Sequence, residues 1–208
     1  MRMAVTVDNK WLAANLDNPG VVILDTRGNM PYRFGHIKNA LPLGIEMVVA
    51  IAQNGAKLVI DSEAAEKVFS SCGIDDLKKV VIYGEPDDPT PARVAWSLMC
   101  HGHPDTVMLD MGFHTWKATG LPVTREASQT ALAQFKSKPK ADIRIDAEII
   151  KAKMGDPSFV VVDARTAQEH LQAKIPNSVL LNWDDGVGQN GSAFLSGEEL
   201  KRSLRKMA

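Results

Sequence analysis

An internal repeat constrains this chain more than any other feature. The stretch Val21-Val22-Ile23-Leu24-Asp25-Thr26-Arg27 returns as Phe159-Val160-Val161-Val162-Asp163-Ala164-Arg165, an offset of 138 residues (163 − 25). The same offset carries Asp8 onto Asp146, Pro19 onto Pro157, Ile37 onto Ile175 and Asn39 onto Asn177. An ungapped match of that length marks one structural unit written twice. Each copy is a continuous, β-branched run ending in Asp-x-Arg, which predicts a strand buried on both faces. A polar residue at the carboxyl end of such a strand stands where open α/β sheets hold their ligands. The expectation is two similar α/β units, the second stopping early.

Composition enters as a set of exclusions. The 208 residues carry 24 basic and 25 acidic side chains for a net charge of −1, which gives no electrostatic footprint for a nucleic acid or a membrane surface. No apolar run is long enough to span a bilayer, and the start has no secretory hydrophobic stretch. The two cysteines, Cys72 and Cys100, form no CxxC pattern, so neither a disulfide framework nor a zinc site is expected. A cytoplasmic, reducing setting is the expectation.

Along the chain, strands and helices alternate, which predicts a parallel sheet covered on both sides. The expected elements are a strand Val5–Val7, a helix capped by Asp8 to about Leu16, and the strand Val21–Leu24. Residues 32–40 read as a turn-rich connection to a short strand near Leu41–Leu43, and Val48–Gly55 as loop or short helix. A helix opens at Asp61-Ser62-Glu63 and ends at Gly73. Strand Val80–Tyr83, helix Ala92–His101, strand Thr106–Leu109 and helix Phe113–Thr119 complete the first unit. Residues 1–123 are thus one domain, and the polar stretch 124–141, with Lys136, Lys138 and Lys140 around Pro139, reads as a solvated linker. Residues 142–208 repeat the order with strand Ile143–Ile145, helix Asp146–Met154, strand Phe159–Val162 and strand Val179–Leu181. A glycine-rich loop (Gly186, Gly188, Gly191) and a helix Ser196–Lys206 follow.

Five pieces in order resemble the tandem-domain rhodanese family. They are Asp25-x-Arg27, Gly35-His36-Ile37-x-x-Ala40, Val80-Val81-Ile82-Tyr83, Ala92-Arg93 and Leu109-Asp110-x-Gly112-Phe113-x-x-Trp116-x-x-x-Gly120-Leu121-Pro122. The two-domain layout is similar to that of the thiosulfate/3-mercaptopyruvate sulfurtransferases. The resemblance implies an α/β fold of two rhodanese-like domains, each a parallel sheet flanked by helices, the first non-catalytic and the second incomplete here. It implies transfer of a sulfane sulfur from thiosulfate or 3-mercaptopyruvate to a thiophilic acceptor through a cysteine persulfide, with no cofactor and a small anionic sulfur donor as partner. The alternative is a non-catalytic rhodanese-like binding or regulatory module.

That chemistry needs a thiolate held in a loop of N–H donors at a helix start, because a free thiol with a pKa near ~8.5 is mostly protonated at neutral pH. The corresponding loop of the first unit, Gly84-Glu85-Pro86-Asp87-Asp88-Pro89-Thr90-Pro91, has no cysteine. Its three prolines remove N–H donors and its three carboxylates repel an anion. Thr90 and Pro91 fit instead as N-cap and first residue of a structural helix. From Asp25 to Pro122 the first unit runs for 97 residues (122 − 25), whereas 45 follow Asp163 (208 − 163), so the nucleophilic cysteine is expected beyond Ala208. A second fragment or a symmetry-related chain is then expected to complete the second domain. Cys72 at a helix C-terminus and Cys100 on an apolar helix face read as buried structural residues.

Arg165 is the candidate substrate-binding residue. The resemblance implies that this arginine binds the anionic donor, and a guanidinium fork suits thiosulfate or a carboxylate. The competing reading pairs Arg165 with Asp163 or Glu169 to order the loop. His36 reads as a turn anchor, Trp183 as packing, and His101 with His103 make no metal site without a third ligand. In the second unit Ala173-Lys174-Ile175-Pro176-Asn177 replaces the Gly-His pattern.

Overall fold

The computed structural model describes residues 6–85, 88–188 and 192–205. The chain divides into two compact units, residues 1–144 and 145–208. The first is built on a parallel sheet of β1 (Thr6–Val7), β2 (Val21–Asp25), β4 (Ala40–Pro42), β7 (Lys79–Tyr83) and β8 (Thr106–Leu109), in the order β1-β8-β7-β2-β4. β2 lies between β7 and β4, with Leu24 opposite Ile82 on one side and Leu41 on the other. The alternation of its side chains explains the unbroken apolar run. Val22 and Leu24, with Val80 and Ile82, face α3 (Ser62–Ser71) and α4 (Thr90–Cys100). Ile23, with Val81 and Tyr83, faces α1 (Asn9–Ala14) and α5 (Gly112–Ala118). Both faces are core, so both parities of the strand must be apolar. Burying each such side chain contributes about 1.5–3 kcal/mol.

The helix starts follow the capping chemistry. Asp8 accepts from the Trp11 N–H at 2.7 Å and Asp61 from the Ala64 N–H at 2.8 Å. At α4 the geometry differs from the expected Thr90 cap: Thr90 is already helical, and Asp88 Oδ1 accepts its N–H at 2.9 Å. Two further elements differ from the sequence expectation. Residues 29–34 form a helix, α2 (Asn29–Phe34), whose Pro31 lies in the first turn where a missing N–H costs nothing. Residues 49–59 form a hairpin of β5 (Val49–Ile51) and β6 (Lys57–Val59), entered through a 3₁₀ turn at Ile45–Met47.

The segment expected as a linker lies against the first unit. Thr124 ends β9 (Val123–Thr124), which pairs antiparallel with β3 (His36–Ile37). Beyond it Phe135 is 1% exposed and meets Phe69 edge-on at 5.2 Å. Backbone N–H groups of Ala133, Lys138 and Lys140 donate to the carbonyls of Ser70, His101 and Cys100. Lys136 pairs with Glu66 and Lys138 with Asp76, so the charge run is engaged in ion pairs. Ile143, expected in a strand, instead accepts the Trp96 indole N–H at 3.2 Å through its carbonyl.

The second unit repeats the first at the predicted offset. Its elements are α6 (Ala147–Lys153), β10 (Val162–Asp163), α7 (Ala167–Gln172), β11 (Val179–Leu180), the hairpin β12 (Val187–Gly188) and β13 (Ser192–Phe194), and α8 (Gly197–Arg205). β10 pairs parallel with β11 in the register of β2 with β4: Val162 opposite Val179 matches Leu24 opposite Leu41. Asn39 and Asn177, one offset apart, both take positive φ, at 66° and 61°. Even the 3₁₀ turn and hairpin recur, with Trp183–Gly186 leading into β12. Of the glycine-rich stretch, Gly186 ends the 3₁₀ turn and Gly188 lies in β12, and Gly191 is outside the described residues. One expectation fails here. β10 is two residues long and not buried on both faces, with Val160 65% and Val162 49% exposed. Among the described residues β10 has β11 as its only strand neighbour, whereas β2 has two and helices on both sides.

Candidate anion-binding site

The two Asp-x-Arg corners are the same device set in different surroundings. At each, the aspartate ends its strand and folds back on the arginine two residues later. Arg27 donates to Asp25 through Nε at 3.0 Å and Nη2 at 2.6 Å, and Nη2 also reaches the Gly35 carbonyl at 2.7 Å. Arg165 repeats this with Asp163 at 2.9 and 2.7 Å and with the Ala173 carbonyl at 2.6 Å. The paired bonds are the fork geometry in which a guanidinium holds a carboxylate best. Ordering of the loop by Asp163 is therefore real, and it uses one edge of the guanidinium. Glu169 acts elsewhere, forming with Thr166 the capping box that opens α7.

The remaining edge separates the two copies. Arg27 Nη1 meets Glu85 at 3.3 Å, and the Phe113 ring covers the guanidinium at 3.5 Å from its centroid. The Arg27 side chain is 4% exposed, whereas that of Arg165 is 47% exposed. Arg165 Nη1 has no hydrogen-bond partner among the described residues. Arg165 borders a cavity of 530 Å³ with Val161, Ile175, Pro176, Lys174 and Ser178 on its walls. The Ser178 hydroxyl oxygen is buried and lacks a partner among the described residues. The exposed guanidinium and Lys174 bring positively charged donors to one space. Charged N–H donors of this kind suit a small anion.

The support behind Arg165 is electrostatic. Asp163 accepts from Arg165 and from His170 Nδ1, the latter at 2.9 Å, and these bonds hold its carboxyl well below the usual range. His170 stands one offset from Tyr32, so its contact with the aspartate has no counterpart in the first unit. There Asp25 instead takes the Tyr83 hydroxyl at 2.6 Å, a bond across the sheet that local sequence does not signal. Burial, then the Asp25 charge, push the Tyr83 phenol up, so it stays a donor.

The other candidates are structural. His36 is buried, stacks on Tyr32 at 3.7 Å and donates through Nδ1 to the Tyr32 carbonyl. His101 bonds Ser137 and the Ile60 carbonyl, and His103 bonds Thr106 and the Asp75 carbonyl. Burial lowers the pKa of both. No group of three potential ligands capable of holding a metal exists among the described residues. Cys72 and Cys100 are buried free thiols, and burial pushes both up, away from the reactive thiolate. Trp183 is 40% exposed and its backbone N–H donates to the Ala164 carbonyl next to Arg165.

The chain is 28% identical to a probable 3-mercaptopyruvate sulfurtransferase of Pseudomonas aeruginosa, across 96% of this chain and 78% of that one. It is 27% identical to a putative thiosulfate sulfurtransferase of Saccharopolyspora erythraea, across 97% and 76%. Among solved structures, the 3-mercaptopyruvate sulfurtransferase SseA of Escherichia coli shares the fold with a TM-score of 0.85 at 19% identity, over 99% of this chain and 84% of that one. EanB shares it with a TM-score of 0.82 at 17% identity, over 98% and 57%. No helix among the described residues is long and apolar enough to cross a membrane. Residues 8–119 match the rhodanese-like domain, and with the parallel sheet and its Asp-x-Arg corner in that span, the chain belongs to the rhodanese-like family.

Proposed function

We propose that this chain is the donor-recognising part of a rhodanese-type sulfurtransferase, in which Arg165 seats a small anionic sulfur donor. The observation that carries the reading is the half-exposed Arg165 guanidinium on the wall of a cavity it shares with Lys174. The named sulfurtransferases among the relatives point to thiosulfate or 3-mercaptopyruvate as donor. In this reaction a thiolate attacks the outer sulfur of thiosulfate, a new S–S bond forms, and sulfite leaves with the electrons of the old one. The persulfide then hands its terminal sulfur to a thiophilic acceptor and the thiolate returns. Cys72 and Cys100 are buried and burial pushes both thiols up, so in this reading neither of them is the attacking thiolate. The first unit is non-catalytic in this reading. Two free thiols fit a reducing, cytoplasmic setting.

Titration with thiosulfate and with sulfate tests the site. Saturable binding is expected, and Arg165→Gln should weaken it at least about tenfold because charge-assisted hydrogen bonds are lost. Unchanged affinity in that variant would remove Arg165 from the site.

A further inference from the structure

We propose that the first unit carries an anion pocket of its own, selective for a small amphipathic anion: a carboxylate or sulfonate on an apolar body. The pocket is a cavity of 390 Å³ at the carboxyl end of β2, bordered by Phe34, Phe113, Val123, Lys117, Thr124 and Arg125. That volume lies within the range of about 300–1,000 Å³ usual for small-molecule sites, toward its lower end. Its position, outside the carboxyl end of a parallel strand, is where open α/β sheets bind ligands.

Charge and shape together select the occupant. Arg27 forms part of the wall, but Asp25 and Glu85 neutralise it and Phe113 lies over it. Lys117 and Arg125 are exposed and have no ion-pair partner among the described residues. Arg125 is nevertheless held in place: its Nε donates to the Phe34 carbonyl at 3.2 Å, which leaves both terminal nitrogens for a ligand. The β3–β9 pairing, with His36 opposite Thr124, fixes the two sides of the pocket against each other. Glu126, the nearest carboxylate in sequence, has its N–H tied to Thr124 Oγ1 at 3.0 Å. The walls are apolar and open to solvent, with Phe34 72% and Val123 41% exposed. Two free cations at an apolar rim favour a ligand that brings both an anion and a hydrophobic body. A fully hydrated inorganic anion gains only the first.

Benzenesulfonate and sulfate, titrated side by side into the 208-residue protein and followed by amide NMR shifts, test this. Benzenesulfonate is expected to saturate with shifts at Phe34, Thr124 and Arg125, at least about tenfold tighter there than sulfate. The double substitution Lys117→Gln/Arg125→Gln should abolish those shifts while leaving the melting temperature unchanged, since both side chains are exposed. Raising salt from about 0.05 to about 0.5 M should weaken binding, as screening of surface cations requires. Shifts confined to the neighbourhood of Arg165, equal affinity for both anions, or full binding by the double variant would each overturn the proposal. Because the pocket lies wholly within the first unit, failure here leaves the Arg165 reading standing, and failure there leaves this one.

Discussion

Asp25 and Asp163 hold equivalent arginines with unlike help, and the difference predicts unlike behaviour. Asp25 is fully buried, and its charge is met by Arg27 and by the Tyr83 hydroxyl, which also accepts the Ile37 N–H at 3.1 Å. Tyr83→Phe should therefore destabilise the first unit by about 1–3 kcal/mol, because it strands buried hydrogen-bonding groups. Urea unfolding measures it, and a neutral result would show that those groups find other partners. Asp163 gives a pH prediction. Its folded pKa is depressed, so its contribution is present above the unfolded value and is lost only as pH falls through the depressed one. The Asp163 carboxyl, followed through its carbon NMR shift, should show no protonation step from about pH 7 down to about 4, the ordinary carboxylate region. A midpoint above about 4.5 would mean that Asp163 is not held by Arg165 as described.

At the scale of elements, the stretch after β9 is core material carried on a polar sequence. Phe135→Ala should cost the first unit about 3–5 kcal/mol, the usual range for a buried aromatic truncated in place. Thermal or urea unfolding checks this, and a loss below about 1 kcal/mol would return the segment to the status of a tether. This element also shows what sequence can and cannot convey. The duplicated strand, its Asp-x-Arg corner and the cap residues Asp8 and Asp61 are legible, because each is a local pattern with a local cause. Phe135 is not: one aromatic among lysines gives no period, and its burial depends on Phe69, far earlier in the chain. The hairpins at Val49–Val59 and Val187–Phe194 escape for a related reason, being too short for strand alternation to show. Arg165 is legible as a candidate, but its open edge is not, since that depends on what fails to cover it. Phe113 in α5 and Glu85 beyond the end of β7 close Arg27 from far along the chain.

At the scale of the molecule, one duplicated unit has been put to two uses. The first copy buries its arginine and commits it to stability, and the second leaves one edge of its arginine open to a cavity. In the proposed reading Arg165 seats the donor, and neither buried thiol, Cys72 nor Cys100, supplies the nucleophile. The most direct measurement is the intact mass of the 208-residue protein after incubation with thiosulfate under reductant-free conditions, alongside the binding titration. Saturable donor binding is expected, with no added sulfur on Cys72 or Cys100. A gain of one sulfur atom at either cysteine, with sulfite released, would contradict this and place the nucleophile in the first unit.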